Sequence, residues 1–312
     1  MSTNRQNSQD NQNNSESRGI LMAAGAYLAW VIFPIYFRSL QQVPPLEILS
    51  HRVVWSLLFL AGLLTWQQRW GWLARARKSR SVLLTYAAAA AFLGANWYIY
   101  IWAVNNGHIL DGSLGYFINP LVSVLLGIVF FRERLRVGQF VAIAIAALGV
   151  AYMTIMYGQL PWISLSLACT FAVYGLIKKK APLPAAQGLT LETAFLFPLA
   201  LIYLLFLEAQ GVGTFGHAGL STNVLLALSG VITAVPLMLF ASAAQLIPLS
   251  VLGVMQYIAP TGQFIVAVYV YGEDFPPYKL VGFCIVWLAL VIFSVEGYVA
   301  RRRALRLATT PA

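Results

Sequence analysis

Charge is scarce in this sequence. Only 10% of its 312 residues are Asp, Glu, Lys or Arg, while 60% are hydrophobic. A soluble domain carries roughly a quarter of its residues as charged groups, so a water-soluble fold is excluded. Cysteine is nearly absent too. Cys169 and Cys284 both stand inside apolar runs with no spaced partner, which indicates neither a disulfide framework nor a cysteine metal site. Histidine occurs only at His51, His108 and His217, near the ends of apolar runs or between them. No His/Asp/Glu cluster has metal-ligand spacing, and no His accompanies a buried Ser motif. Metal, haem and intramembrane-protease chemistry are therefore not indicated, no cofactor is expected, and the chain does not read as an enzyme. The net charge of +10 comes from short basic clusters between apolar runs. These form no nucleic-acid motif.

What is present is a succession of apolar runs. Ten are read, at 19–38, 46–66, 82–105, 112–131, 137–157, 160–177, 189–208, 222–243, 249–271 and 278–299. Each is close to the roughly 20 residues that carry a helix across about 30 Å of hydrocarbon. The fold class is an all-α polytopic membrane protein. The run at 160–177 is the weakest, being short and reached by a tight turn. Residues 1–18 are rich in Asn, Gln and Ser and are expected to be a disordered cytoplasmic tail; residues 300–312 form a basic cytoplasmic tail. With both termini inside, the cytoplasmic segments hold every Lys and Arg except Arg38, Arg52 and Lys279. That is the positive-inside distribution.

The two halves resemble each other. Pro120 and Glu133 recur at Pro260 and Glu273, an offset of 140 in both cases. The same offset lays Phe117-Ile118-Asn119-Pro120 over Tyr257-Ile258-Ala259-Pro260. The first spans match at an offset of 141, Trp30 with Phe171 and Arg38 with Lys179, while the second spans align poorly. Residues 19–157 and 160–299 thus read as two repeats. Five spans in each is an odd number, so the repeats lie in the membrane in opposite directions. That is a transporter architecture with its site between the halves.

Several strings then look familiar. They are Glu47…His51-Arg52…Trp55-Ser56, Ala95-Asn96-Trp97…Trp102-Ala103-Val104-Asn105, Ser113 to Pro120, Glu133-Arg134-Leu135, Tyr174-Gly175-Leu176, Glu192-Thr193, Thr233…Pro236-Leu237 and Gln256 to Thr261. Through them the chain, from about residue 19 to 299, resembles the drug/metabolite transporter superfamily, its EamA-type ten-helix members and the RarD subfamily. The resemblance implies inner-membrane transport by alternating access, with a central cavity lined by the first, third and fourth spans of each half. It does not imply a cargo.

Polar residues inside spans mark candidate sites, because they are costly in hydrocarbon. Tyr116, Asn119 and Ser123 share one face of the fourth span; Gln256 and Gln263 stand at equivalent places in the ninth, beside Tyr257. Asn96, Trp97 and Tyr100 come from the third. Together these nine are the candidate cavity lining, with helix–helix glue as the alternative. Pro120 and Pro260 each free a carbonyl one turn upstream, as a gate or as a packing kink. Glu47, His51 and Arg52 lie near the outer end of the second span. Arg52 is a candidate clamp for an anionic or zwitterionic cargo, the alternative being a structural Glu47–Arg52 or Glu47–His51 pair that holds the helix end. Glu192 is a candidate for a coupling proton or a helix-end carboxylate. Glu133 and Glu273 read as loop caps ahead of the fifth and tenth spans.

These features point to a secondary transporter, working as a monomer or homodimer in the lipid bilayer, for a small cargo such as an amino acid or aromatic compound. An ion channel would need a charged ring or filter loop, and a non-transporting scaffold would leave the polar stripes idle. The topology predicts that single cysteines in the Arg69–Arg80 loop label only from the cytoplasm and those in 209–221 only from the periplasm. Labelling of both loops from one side would refute the ten-span reading.

Overall fold

The computed structural model describes residues 2–105, 109–158, 162–272 and 277–309, and all regular structure among them is helical. The order is α1 (Ser2–Val31), α2 (Phe33–Arg38), α3 (Pro45–Trp66), α4 (Gly71–Lys78), α5 (Arg80–Asn105), α6 (Ile109–Phe131) and α7 (Val137–Tyr157). There follow α8 (Trp162–Lys180), α9 (Ala185–Ala209), α10 (Leu220–Leu246), α11 (Leu249–Met255), α12 (Ile258–Ile265), a π-helical turn (Val266–Val270) and α13 (Pro277–Thr309). Among the described residues nine spans are long and apolar enough to cross a membrane. The tenth expected span, α8, falls short of that composition because Lys178–Lys180 close it. It is nevertheless interior, packed against α5, α6 and α10.

Prolines explain where spans break. Pro34 has no N–H to give the Trp30 carbonyl. The first span parts into α1 and α2 there, and Gln263 Nε2 on α12 donates to that carbonyl at 3.0 Å instead. Pro260 does the same for the Gln256 carbonyl, and the ninth span parts at Gln256–Tyr257, one turn upstream. Pro120, its equivalent, lies inside an unbroken α6. Two helices outrun their apolar cores. Residues 2–18, where composition predicts disorder, continue α1 as helix, since the stretch holds no Pro or Gly to stop propagation; α13 likewise runs through the basic tail to Thr309. Helix α4 was not expected. It buries Trp72 and Ala76 and leaves Arg75, Arg77 and Lys78 exposed, as a short amphipathic helix at an interface does.

The two halves match more regularly in their helices than in their residues. Pro45 and Ala185, and Arg80 and Leu220, begin equivalent helices, and each pair differs by 140. The second spans, which align poorly as residues, obey the same offset, and each follows a proline, Pro44 or Pro184. Packing follows the exchange of halves. Helix α1 packs on α10 as α8 packs on α5; α3 packs on α10 as α9 packs on α5; α6 packs on α8 as α11 and α12 pack on α1. Helices α3 with α9, α7 with α13 and α6 with α11 meet their own equivalents. Two equivalent residue pairs touch. Trp30 and Phe171 have ring centroids 5.8 Å apart, and the Tyr257 hydroxyl donates to the Phe117 carbonyl at 3.1 Å.

Close crossings rest on small residues. A Cβ on Gly230 of α10 would collide with the Trp55–Ser56 backbone of α3, where Ser56 Oγ donates to the Gly230 carbonyl at 3.1 Å. A Cβ on Gly253 would lie 2.9 Å from the Pro120 carbonyl oxygen. Gly230→Ala must therefore push α10 off α3, an overpacking cost of about 1–3 kcal/mol. A lowered melting temperature in detergent is expected, with Gly62→Ala, which meets nothing within 4 Å, as the neutral control. Equal melting of the two variants would refute the crossing.

Candidate functional site

Arg52 lies seven residues into α3, about 10 Å along its axis. Its Nε donates to Thr233 Oγ1 of α10 at 2.9 Å. Its guanidinium carbon lies 4.8 Å from the Trp97 ring centroid, 5.4 Å from Phe37 and 5.7 Å from Phe33. Tyr36, Tyr100 and Tyr116 stand within its electrostatic reach, and the Tyr100 and Tyr116 rings are 5.9 Å apart. Among the described residues no carboxylate pairs with Arg52 and nothing accepts from its terminal NH2 groups. Cation–π contact contributes about 0.5–2 kcal/mol per ring. Removing an ion from water costs several kcal/mol, so the rings offset only part of the burial. The niche is not sealed. Arg52, Phe33, Phe37, Trp97 and Tyr100 are all partly accessible, and Tyr116 is 37% exposed.

The equivalent position in α9 is Glu192, at offset 140. At offset 141 Phe33 and Phe37 correspond to Tyr174 and Lys178 of α8. That niche is completed internally. Lys178 Nζ meets Glu192 Oε1 at 2.7 Å, Tyr174 Oη donates to Glu192 Oε2 at 3.0 Å, and the Tyr86 ring lies 5.4 Å from the ammonium. Glu192 is 0% exposed, Lys178 1% and Tyr174 0%. So one niche holds a closed ion pair, and its counterpart holds a cation that meets no carboxylate among the described residues, beside partly accessible rings.

The expected cavity residues divide. Trp97, Tyr100 and Tyr116 gather round Arg52. Asn96 Nδ2 instead donates to the Leu167 carbonyl and Thr170 Oγ1 of α8, both at 2.9 Å. Asn119 Nδ2 donates to the Ala168 carbonyl at 3.2 Å and its Oδ1 accepts from Ser123. Tyr257 and Gln263 likewise tie helices through carbonyls. Gln256 is buried at the break between α11 and α12. An apolar hollow between α6, α7, α11 and α13, lined by Pro120, Val124, Ala142, Val254 and Tyr257, carries no polar group aimed at a ligand.

Glu47 does not reach Arg52. Its two oxygens accept from the Thr214 N–H at 2.7 Å and the Thr214 hydroxyl at 2.8 Å, with His51 Nε2 3.9 Å away. The carboxylate tethers the α9–α10 loop, whose Phe215 ring covers His51 and Trp55. At the opposite end Glu133 caps the start of α11 rather than α7, accepting from the Leu249 and Ser250 N–H groups at 2.7 and 2.9 Å. Glu273 lies outside the described residues. Lys179 Nζ donates to the Ile247 carbonyl at 2.6 Å, at the end of α10. Burial holds its ammonium below the ordinary lysine value, and Glu133 pulls it back up. Among the described residues no group of three or more His, Cys, Asp and Glu could hold a metal.

Residue-by-residue reading missed Phe33, Phe37, Thr233, Tyr174 and Lys178. In the sequence Lys178 counts only as one of the basic residues that orient the chain. The signal was the repeat offset itself, which relates Arg52 to Glu192 and Phe37 to Lys178.

The chain matches the EamA-like transporter family over residues 17–155. It is 46% identical to an uncharacterized transporter of Vibrio cholerae over 93% of this chain and 96% of the relative. To the uncharacterized transporter YojE of Bacillus subtilis it is 44% identical, covering 91% and 95%. To the protein RarD of Escherichia coli it is 42% identical, covering 92% and 97%. A solved crystal structure superposes with a TM-score of 0.67 at 17% identity, over 90% of this chain and 98% of the other, a likeness of fold.

The closed pair generates a stability prediction. Removing one partner of a buried ion pair leaves the other uncompensated, at about 3–5 kcal/mol. Glu192→Gln should thus lower the melting temperature in detergent sharply. Replacing both partners, with Glu192→Leu and Lys178→Met, should recover much of the loss. A double variant as unstable as the single one would show that the pair is not what holds α8 to α9.

Proposed function

The chain belongs to the RarD branch of the EamA-like transporter family, within the drug/metabolite transporter superfamily, and we propose that it moves a small metabolite or drug-like molecule by alternating access, with the cargo held beside Arg52. It is a multi-pass protein of the bacterial inner membrane. The observation that carries the proposal is the unequal accessibility of two equivalent niches. The side chains of the Arg52 niche, on the Lys/Arg-poor side, are partly accessible; those of the Glu192 niche, on the Lys/Arg-rich side, are fully buried. In an inverted repeat, exchanging the conformations of the halves exchanges which niche is open. This is one end state of such a cycle, facing outward. The helix starts at a common offset and the matched packing pairs support two repeats able to exchange. A niche sealed on one side fits a carrier better than a channel.

The cargo would meet Trp97, Tyr100 and Tyr116 as an aromatic wall and Arg52 and Thr233 as polar partners. Asn96 and Asn119 hold α5 and α6 to α8, and Glu192 is read as the inner closure rather than a proton carrier, because Lys178 keeps its charge answered. Two equivalent positions test the cycle. Tyr100 is partly accessible, while Phe240, its equivalent in α10, is buried. In a background with Cys169 and Cys284 replaced by Ser, Tyr100→Cys should react with an impermeant thiol reagent added outside, and Phe240→Cys should not. Rapid labelling of both from outside would reveal a continuous pore and refute the carrier.

A further inference from the structure

We propose that the cargo is a small carboxylate, carried as a monoanion on an apolar or aromatic body, with Arg52 as its counter-ion. The inference rests on the transport reading of this niche and deepens it. It comes from what the two niches do with charge. The Glu192 niche contains anion, cation and hydroxyl donor within one cluster, Tyr174 and Lys178 both directed at the carboxylate. The corresponding places around Arg52 are held by Phe33 and Phe37. Among the described residues the fold thus supplies a cation without its anion, at a spot where Arg52 and the rings around it are partly accessible.

The shape of the remaining need identifies the ligand. Nε is taken by Thr233, and the terminal NH2 groups lack an acceptor among the described residues. A planar carboxylate satisfies parallel N–H donors of a guanidinium. No second basic group stands at this niche among the described residues, so a phosphate dianion would bring an unanswered charge. The rings of Phe33, Phe37, Trp97, Tyr100 and Tyr116 surround the cation and offer the rest of the cargo an apolar bed.

The test uses the full purified chain in detergent, with sodium benzoate, 3-phenylpropionate and butyrate against their primary amides and against sodium chloride at equal ionic strength. At least one carboxylate should raise the melting temperature saturably where its amide and chloride do not. Arg52→Gln should abolish that rise, and Arg52→Lys should weaken binding roughly ten- to 150-fold, as loss of a charge-assisted hydrogen bond does. Thr233→Asp places a carboxylate where the hydroxyl now accepts. It should melt above wild type without ligand and no longer respond to carboxylates, whereas Thr233→Ser keeps the response. No shift with any carboxylate, an equal shift with amide or chloride, a response surviving in Arg52→Gln, or a destabilised Thr233→Asp would each overturn the proposal. Counterflow in proteoliposomes separates the two readings. An amide exchanged independently of Arg52 leaves a transporter without a carboxylate site; a carboxylate that binds but never exchanges leaves the site without a transporter.

Discussion

Hydrocarbon offers no partner to a polar group, so such a group in a span is costly unless the protein or a water-filled cavity answers it. That constraint organises this structure more than hydrophobic packing does, since lipid tails are as apolar as the side chains they replace. The ties between helices run from side-chain donors to backbone carbonyls: Tyr27 to Leu252, Ser56 to Gly230, Asn96 to Leu167, Asn119 to Ala168, Tyr257 to Phe117. Prolines supply some of the acceptors. Pro34 frees the Trp30 carbonyl, and Gln263 from the other half of the chain takes it. Charged ties follow the same rule at the ends of spans, where Glu47 holds Thr214 and Glu133 holds the first N–H groups of α11.

The same constraint explains which parts of the architecture were legible beforehand. Spans show in composition because twenty apolar residues have few other uses. The repeat shows where Pro and Glu recur at a fixed spacing. It is hidden in α3 and α9, where at offset 140 only Leu49 with Leu189 and Leu64 with Leu204 are identical and Arg52 stands opposite Glu192. Helix starts expose the offset that residue identities conceal. Helix α4 escaped notice because eight amphipathic residues between two long spans leave little trace in a hydropathy reading.

The candidate site was half legible for a related reason. Sequence identifies a polar residue in a span but not whether its partner is a neighbour or a cargo. Asn96 and Asn119 looked like cavity lining, yet both amides find carbonyls of α8 within hydrogen-bond distance. Glu47 and Arg52, five residues apart on α3, looked like partners. Their side chains part, one to the α9–α10 loop and one to α10. Only the contacts show that Arg52 meets no carboxylate among the described residues.

That charge is where the proposed mechanism has to draw its energy. In a frame of two exchangeable repeats, contacts common to both halves contribute equally to both end states and cannot drive a change. A bias arises only where the halves differ. Lys178 and Glu192 stabilise the closed inner niche, and opening it means exposing or separating a buried pair. Arg52 leaves the outer niche without such a closure of its own. A ligand shifts a two-state equilibrium only by its difference in affinity between the states. An anion on Arg52 supplies such a difference, because it completes in the outer niche the pairing that the inner niche already has. On the proposed cycle, an anion that closes the Arg52 niche brings the two end states nearer in free energy, because each niche then has its charge answered.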